Sequence, residues 1–467
     1  MNQKRCSDIA SGKIQKVFVE LEDVSGILQR PTPGGYVLPA GNATLSQVPQ
    51  YSNSEEKSGS PDILRQTRNA LQAGEASIPM LVRLPADGSK MQGHALFEAL
   101  MGKTQEPGTV TAVIADGGDV DESAAAINVS GVTGGFFPRR GVVRIDAEDI
   151  RYVGITTDAS GAVTALTGCV RGYAGTVAAS HTAGTSMVLH SRVYSQDNCR
   201  SSVSVWTLFD HTVLFASGGV VTQASVPQSR DGDQHADFTV QFRRMGWCGR
   251  SYLSTVPSTG VLSVKTEDGE SAADAYSVGA IIKNVTKKDD NGGAGYTVTD
   301  ADYDNGTITV SPVPLGWAED DRLEPWLPEA SPVGEPLAAT NTRVFIDGKA
   351  GKLTEGSITL GAPTSFAGEL GDEFPGENAD GWRALTISNG LYFRAKDAVE
   401  FKRGYDGYNL PVDVVLGNKA GASLVLAMPR VQFNMPSVTL NDDFVTLTRE
   451  GAILGTKGND SLYIIQE

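Results

Sequence analysis

One β-type pattern occurs twice in this sequence, 130 positions apart, and the repeat constrains the fold more than any other feature. The run HTVLFASGG begins at His211, and NTRVFIDGK begins at Asn341. The coinciding residues are Thr212 and Thr342, Phe215 and Phe345, and Gly218 and Gly348. A second pair of segments, from Arg151 and from Gly295, each contains two β-runs joined by a glycine-containing turn. Repetition on this scale predicts two related units in one chain.

Composition favours β-structure and excludes some partners. The chain has 467 residues, enough for roughly two to four domains, and its 53 glycines with few helical stripes favour a mainly β fold. The net charge of −16 argues against a protein that clamps DNA, because phosphate binding requires clustered Lys and Arg. Residues 251–330 hold 14 Asp and Glu against 5 Lys and Arg, so much of the negative charge lies in one segment.

The sequence shows no pattern typical of a metal-binding cysteine cluster, a signal peptide or a membrane helix. Cys6, Cys169, Cys199 and Cys248 have no metal-like spacing and are interpreted as reduced thiols. No apolar run approaches the ~20 residues of a membrane helix, and the first residues lack the apolar core of a signal peptide. We therefore expect synthesis and folding in a cytoplasm.

Local patterns place a few elements. Residues 14–21 alternate as a strand does. The segment GHALFEALMGK, from Gly93, predicts a short helix that His94 opens and that ends with a C-cap at Gly102. Two long loops rich in Pro, Gly and polar residues, at about 30–62 and 361–382, exceed the length of simple connections. We expect these loops to be functional and partly disordered before assembly.

Changes in composition divide the chain into two units and two insertions. The predicted domains are a discontinuous first unit (1–105 and 196–253), an inserted β-module (106–195), a second inserted β-module (254–330) and a second unit (331–467). Each module carries its own strand–turn–strand pattern and apolar residues, so excision of either is expected to be tolerated.

The candidate chemical motifs fail on inspection. DADYDNG, from Asp300, resembles a calcium loop, but Asn305 stands where the loop needs Gly and Ser311 where it needs Glu. Asn305-Gly306 instead suggests a hairpin with a type I′ turn. The five histidines (His94, His181, His190, His211 and His235) form no catalytic or metal-binding pattern. We predict no catalytic, cofactor-binding or metal-binding residues and no cofactor.

The order of segments resembles the tail tube (major tail) proteins of long-tailed bacteriophages. The first half of that family has a strand, a long loop, a strand, a helix like HALFEALMG, a run like SVSVWTLFDHTVLFASGGVVTQASV and one like FTVQFRRMGW. The second half begins like TRVFIDGKAGKLTEGSITLG and ends like AGASLVLAMPRVQFNMPSVTLNDDFVTLTREG. The resemblance covers residues 14–103, 198–250 and 338–467.

The resemblance implies a non-enzymatic scaffold of the virion tail, assembled in the host cytoplasm. Each unit would be a β-sandwich or partial barrel with a short flanking helix, and the two modules would be displayed outside. Three chains would form a homotrimeric ring with pseudo-sixfold symmetry, and rings would stack through the long loops into a tube. Partners would be other copies, the tape measure protein and the tail terminator and tip proteins. DNA would pass through a mildly negative lumen during genome ejection without specific binding.

Two other classes of protein compete with this interpretation. One is a tail-associated adhesin or receptor-binding β-protein, in which the displayed modules would bind. The other is a glycan-degrading tail enzyme, which would need two carboxyl groups about 5–10 Å apart in a cleft.

Overall fold

The computed structural model describes residues 13–57, 62–115, 119–257, 259–440 and 443–467. Strands make up 49% and helix 7%, which confirms the predicted mainly β class. The described residues contain two α-helices, α1 (His94–Met101) and α2 (Val399–Tyr405). The predicted helix is α1, and it ends at Gly102, whose φ of 100° and N–H bond to the Glu98 carbonyl make it the expected C-cap.

The described residues form 38 strands, numbered in chain order. The first group is β1 (Gln15–Leu21), β2 (Tyr36–Val37), β3 (Thr44–Ser46), β4 (Tyr51–Asn53), β5 (Gln66–Arg68), β6 (Gly74–Leu81), β7 (Arg83–Leu84) and β8 (Gly102–Gln105). The second is β9 (Thr111–Ile114), β10 (Ala126–Thr133), β11 (Gly141–Ile145), β12 (Glu148–Tyr152), β13 (Gly154–Thr157), β14 (Val163–Thr167) and β15 (Ser186–Leu189). The third is β16 (Arg192–Gln196), β17 (Val203–Phe209), β18 (Thr212–Gln228), β19 (His235–Phe242) and β20 (Arg244–Cys248).

The remaining strands follow the same order. The fourth group is β21 (Ser251–Leu253), β22 (Val261–Lys265), β23 (Ile281–Asn284), β24 (Tyr296–Asp302), β25 (Thr307–Ser311) and β26 (Arg322–Pro325). The fifth is β27 (Glu335–Pro336), β28 (Arg343–Ile346), β29 (Lys349–Ala350), β30 (Glu355–Gly361), β31 (Thr364–Phe366), β32 (Asn378–Asp380), β33 (Ala384–Tyr392), β34 (Asn409–Lys419), β35 (Ala422–Phe433), β36 (Ser437–Leu440), β37 (Val445–Ile453) and β38 (Tyr463–Gln466).

A four-stranded antiparallel arrangement occurs twice in the large sheet. In the first half of the chain the order is β3-β6-β19-β18, and in the second half it is β30-β33-β37-β35. In both halves a helix, α1 or α2, follows the second strand of the set, and a long hairpin, β17–β18 or β34–β35, follows the helix. The two sets are joined directly, because the end of β18 pairs with β30 over six residue pairs.

The sequence repeat and the structural repeat do not coincide. The run from His211 forms the start of β18, a strand of 17 residues that passes through Gly218 without turning back. The run from Asn341 forms β28, which ends in a turn at Gly348. Both glycines have positive φ, +66° and +71°, which explains their coincidence in sequence although their roles differ. The structurally equivalent strands are β18 and β35.

Each inserted segment forms its own sheet. Strands β9–β15 form a seven-stranded sheet, and β21–β26 close into a six-stranded barrel. The supposed calcium loop is the predicted hairpin, β24–β25, but the type I′ turn is wrong. Asp302 pairs with Thr307, so four residues form the loop, and the Asp302 carboxylate accepts the Asn305 N–H at 3.0 Å. This local cap explains why the loop is longer than two residues.

Each hydrophobic core combines residues from segments that are far apart in the sequence. One cluster joins both four-stranded sets. The seven-stranded module, inserted in the first half, shares its core with Val415, Val425 and Ile465 of the second half. The barrel shares its core with Phe18, Trp206 and Phe215 of the first half. The division into two units and two modules stays a prediction, but neither module packs as an independent body.

Candidate assembly surface

The two four-stranded sets together make an eight-stranded sheet, and one of its faces is polar, negative and uncovered. This face alternates with the core face, so each strand contributes every second residue. Thirteen of its positions are Ser or Thr, namely Thr44, Ser46, Ser77, Ser225, Thr239, Ser357, Thr359, Thr386, Ser388, Ser437, Thr439, Thr446 and Thr448. We call it the polar face.

The charged residues of the polar face are mostly acids. Glu75, Asp237, Glu355 and Glu450 are exposed there. In β3, β6, β19, β30, β33, β36 and β37, none of the described positions on this face is Lys or Arg. In β35, the partly buried Arg430 shares the alternation of this face and adds a cation at one end of it. The face therefore has a net negative charge.

The opposite face is apolar and is held by the helix that the sequence predicted. Phe238 and Ile78 lie opposite each other there, and both are buried. The Phe97 ring of α1 meets the Phe238 ring edge-on, with centroids 5.0 Å apart. An edge-on aromatic pair stabilises a core by about 0.5–1.5 kcal/mol beyond the burial of area. The α1 helix therefore packs against the apolar face, on the side of the sheet opposite the polar face.

The junction between the two halves is a fully paired strand contact. Ser225 lies opposite Thr359, and Val226, which is 1% exposed, lies opposite Ile358. Arg200 reinforces the junction from the side, since its guanidinium donates to both carboxylate oxygens of Asp380 and to the Val221 carbonyl. Backbone pairing, apolar packing and a charge-assisted bond thus all link the two halves.

The two outer edges of the eight-stranded sheet have no such partner among the described residues. At one end, β3 pairs only with β6, and at the other, β36 pairs only with β37. Val438 of β36 lies on the apolar side of the sheet, opposite the buried Leu447, but is 47% exposed. Unpaired edges with apolar residues are unusual in a protein that stays monomeric.

The internal repeat identifies which residues at the free edge correspond to the junction. The contacts β3–β6 and β30–β33 are equivalent, and each ends at one pair, Ser46 with Glu75 and Gly361 with Ala384. When the two sets are aligned on these end pairs, Asp237 of β19 and Glu450 of β37 occupy the same position. Ser225 lies opposite Asp237, and the Asn434 N–H donates to the Glu450 carbonyl at 2.7 Å. Val226 therefore corresponds to Met435, and Pro227 corresponds to Pro436.

This correspondence exposes a contrast in burial. Val226 is 1% exposed because the second half of the chain covers it, whereas Met435 is 59% exposed. The same strand position is thus covered at the internal junction and bare at the outer edge. A bare apolar position that is buried in its structural equivalent indicates a missing neighbour.

The long loops lie together at one end of the sheet. The first continues from β3 and contains the β4–β5 hairpin, and the second continues from β30 and contains β31–β32. Arg68 donates to the Glu373 carboxylate, and the Leu71 N–H donates to the Glu373 carbonyl at 2.9 Å, so the loops contact each other. Residues 58–61 of the first loop lie outside the described residues, and the predicted disorder of the loops stays a prediction.

The titratable side chains of the first module form a hydrogen-bonded cluster. Of the described residues, none of the His, Cys, Asp and Glu side chains form a group of three able to hold a metal ion. Cys169, Cys199 and Cys248 are unpaired, and Cys6 lies outside the described residues. His181 lies between two carboxylates, with Nδ1 3.0 Å from Asp146 and Nε2 2.9 Å from Glu148. The predicted absence of catalytic and cofactor residues stays a prediction.

Glu148 is the most heavily bonded of these carboxylates. Burial raises its pKa, but donation by Arg171, by the Gly172 and Ala179 N–H groups and by His181 outweighs burial and lowers the pKa to about 2. The side chain is 2% exposed, so solvent screens these bonds little. The cluster holds β12 to the segment 171–181 of the first module.

We expect Glu148 to make the module sensitive to acid. Because its folded pKa is below the ordinary 4.5, its stabilisation is complete above pH 4.5 and is lost as the pH falls towards 2. The contribution at neutral pH is about 3 kcal/mol. Glu148→Gln should lower the free energy of unfolding at pH 7 and flatten its slope between pH 4.5 and 2, as measured by denaturant unfolding. The exposed Glu122→Gln is the matched control, and equal slopes in both variants would contradict this assignment.

No model of a known protein family matches the chain, and no curated protein matches it. Among the described residues, no helix has the length and apolarity needed to cross a membrane. The polar face, the junction and the free edges are therefore the features that bear on function.

Part of this surface was predictable from the sequence. The alternation in ADFTVQF already set Asp237 and Thr239 against the apolar positions of β19. It could not assign Glu75, Glu355 and Glu450 to the same face, because these residues meet only when four distant segments pair. The free edge next to β36 was missed for the same reason.

Proposed function

We propose that this protein is a structural subunit that forms stacked rings of a hollow tube, in the manner of the tail tube proteins that its sequence resembles. The observation that carries the proposal is the internal junction of β18 with β30, together with two unpaired edges that repeat its two sides. The edge at 434–438 repeats β18, and the edge at β3 repeats β30. Joining the first edge of one copy to the second edge of the next would extend the sheet by the contact that the chain already makes within itself.

Repetition of one head-to-tail contact generates a closed ring when the rotation closes. Two equivalent four-stranded sets in each chain would let three copies make a ring with pseudo-sixfold symmetry. Closure of the ring would also remove the free edges, which are an aggregation hazard in an isolated chain. We therefore prefer a ring of copies to a monomeric adhesin or enzyme.

The polar face would line the channel. Its Ser and Thr side chains and its acids Glu75, Asp237, Glu355 and Glu450 offer no cation to a phosphate, and Arg430 stands alone at one end of β35. DNA binding strengthens with each phosphate that Lys or Arg neutralises, so such a lining would let a duplex slide. This supports the predicted mildly negative lumen, conduction of DNA during ejection and a place in the virion tail.

The loops would contact the next ring, because both project from the same end of the sheet. Their mutual contact through Arg68 and Glu373 would present them as one unit. The tape measure protein inside the tube and the terminator and tip proteins at its ends are the further partners that the resemblance implies.

A disulfide trap tests the ring contact and its register. The internal pair Ser225 and Thr359 corresponds to Asn434 of one copy and Thr44 of the next. In a background with Cys6 and Cys199 replaced by Ser, Asn434→Cys with Thr44→Cys should oxidise to covalent trimers, since opposite residues of antiparallel strands have Cα atoms about 4.5–5.5 Å apart. Electron microscopy of the same sample should show rings or tubes.

Matched controls separate the register from random collision. Asn434→Cys with Ser388→Cys, an interior position of the same face, should give no trimer. Discrete monomers or spikes in the micrographs, with no covalent trimer from the first pair, would overturn the proposed function.

A further inference from the structure

A small basic cavity lies where the first module meets the second half of the chain. Its volume is about 80 Å³, and four cations line it. Arg140 and Arg151 belong to the module, Arg343 belongs to β28, and Lys419 ends β34 beside the β34–β35 turn. The β34–β35 turn lies next to the module, since a β-carbon added at Gly421 would be 3.5 Å from the Ala174 β-carbon. The four positive charges therefore converge at a junction between segments that are far apart in sequence.

The two arginines of the module are held in place by their surroundings. The Arg140 side chain is 6% exposed, its Nε donates to Glu467 at 3.0 Å, and its guanidinium stacks over the Phe345 ring at 5.5 Å. The Arg151 guanidinium stacks over the Tyr173 ring at 5.3 Å, and its Nε is closed to solvent without a hydrogen-bond partner. Stacking fixes each guanidinium plane while leaving its edge free to donate.

The acids near the cavity do not balance these cations. Glu467 pairs with Arg140 and also accepts from Ser423 at 3.2 Å. Asp413 is buried nearby, and burial raises its pKa although Arg139 and Arg140 act to lower it. Among the described residues, Arg151, Arg343 and Lys419 make no ion pair within 4.0 Å. Convergence of unpaired like charges is unfavourable unless an anion joins them.

We infer that this cavity binds a small inorganic oxyanion of the phosphate class. The cavity is large enough for several water molecules, so it can hold a small tetrahedral oxyanion. Guanidinium groups present paired N–H donors that match the oxygens of phosphate, and the Lys419 ammonium adds a mobile charge at the mouth. The bound anion would connect the module to β28 and to the β34–β35 turn. The inference does not depend on tube assembly.

Calorimetric titration of the full chain with sodium phosphate tests this inference, with sodium chloride at equal ionic strength as the reference. We expect a dissociation constant below about 1 mM for phosphate and a thermal midpoint that rises with phosphate concentration. The double variant Arg343→Gln, Lys419→Gln removes two exposed cations and should weaken phosphate binding at least about tenfold.

A second double variant distinguishes a specific phosphate site from general attraction of phosphate to a positively charged surface. Lys349→Gln with Lys352→Gln removes two nearby cations outside the cavity and should leave phosphate affinity unchanged. Absence of binding by the unaltered protein, or equal weakening by both double variants, would overturn the inference. Sulfate should compete with phosphate, whereas acetate should compete poorly because it has two oxygens rather than four.

Discussion

Replacing Met435 and Val438 with lysine is expected to leave a folded chain that forms neither rings nor tubes. Both side chains are about half exposed in the isolated chain, so their replacement should change the free energy of unfolding by less than about 1 kcal/mol in total. In the ring, Met435 would take the buried place that Val226 has at the internal junction. A lysine there would lose its hydration against an apolar neighbour, and edge lysines are known to oppose strand addition.

Two other substitutions of exposed apolar residues by lysine serve as the control. Val177→Lys and Leu315→Lys lie in the two modules at positions more than 80% exposed, away from the sheet edges. They should assemble as the unaltered chain does, as judged by sedimentation and electron microscopy. If Met435→Lys with Val438→Lys still formed tubes of normal length, the free edge could not be the ring contact.

Excision of the barrel module, residues 254–328, is expected to prevent the remaining chain from folding into a soluble form. The sequence predicted that this module could be removed, but the structure shows that it covers Phe18, Trp206 and Phe215. Trp206 stacks on Phe215 with centroids 4.7 Å apart, and its Nε1 donates to the Gln29 carbonyl. Exposing three such aromatics would cost roughly 5–9 kcal/mol, comparable with the whole stability of many domains.

A rescue variant distinguishes this cause from a general effect of deletion. Excision combined with Phe18→Thr, Trp206→Thr and Phe215→Thr should recover soluble protein, since it removes the bare aromatic surface. The measurements are the soluble fraction after expression and the thermal unfolding midpoint. If the protein that lacks only residues 254–328 stays soluble and unfolds cooperatively at the original temperature, the module is freely removable and this prediction is wrong.

Local features of the fold were predictable because their causes are local. The helix α1 follows from the spacing of Leu96, Phe97 and Leu100 and from a glycine at its end. The β24–β25 hairpin follows from two alternating runs on either side of 303–306, although the side chain of Asp302 decided the loop length. The alignment of the run from His211 with the run from Asn341 did not match the structural repeat. Two glycines with positive φ can serve different roles in different strands.

The sequence by itself determined that this is a glycine-rich, mainly β-protein, and it predicted two related units with two insertions and two long polar loops. Alternation, turn residues and charge act over a few neighbouring positions, so they can be read from the chain. Only the tertiary structure decided that four acids from distant segments share one face, that the module of β9–β15 packs on the second half of the chain, and that Met435 is exposed where Val226 is covered. These features depend on strand pairing between segments up to hundreds of residues apart, and pairing is set by the burial of the whole core rather than by any local pattern.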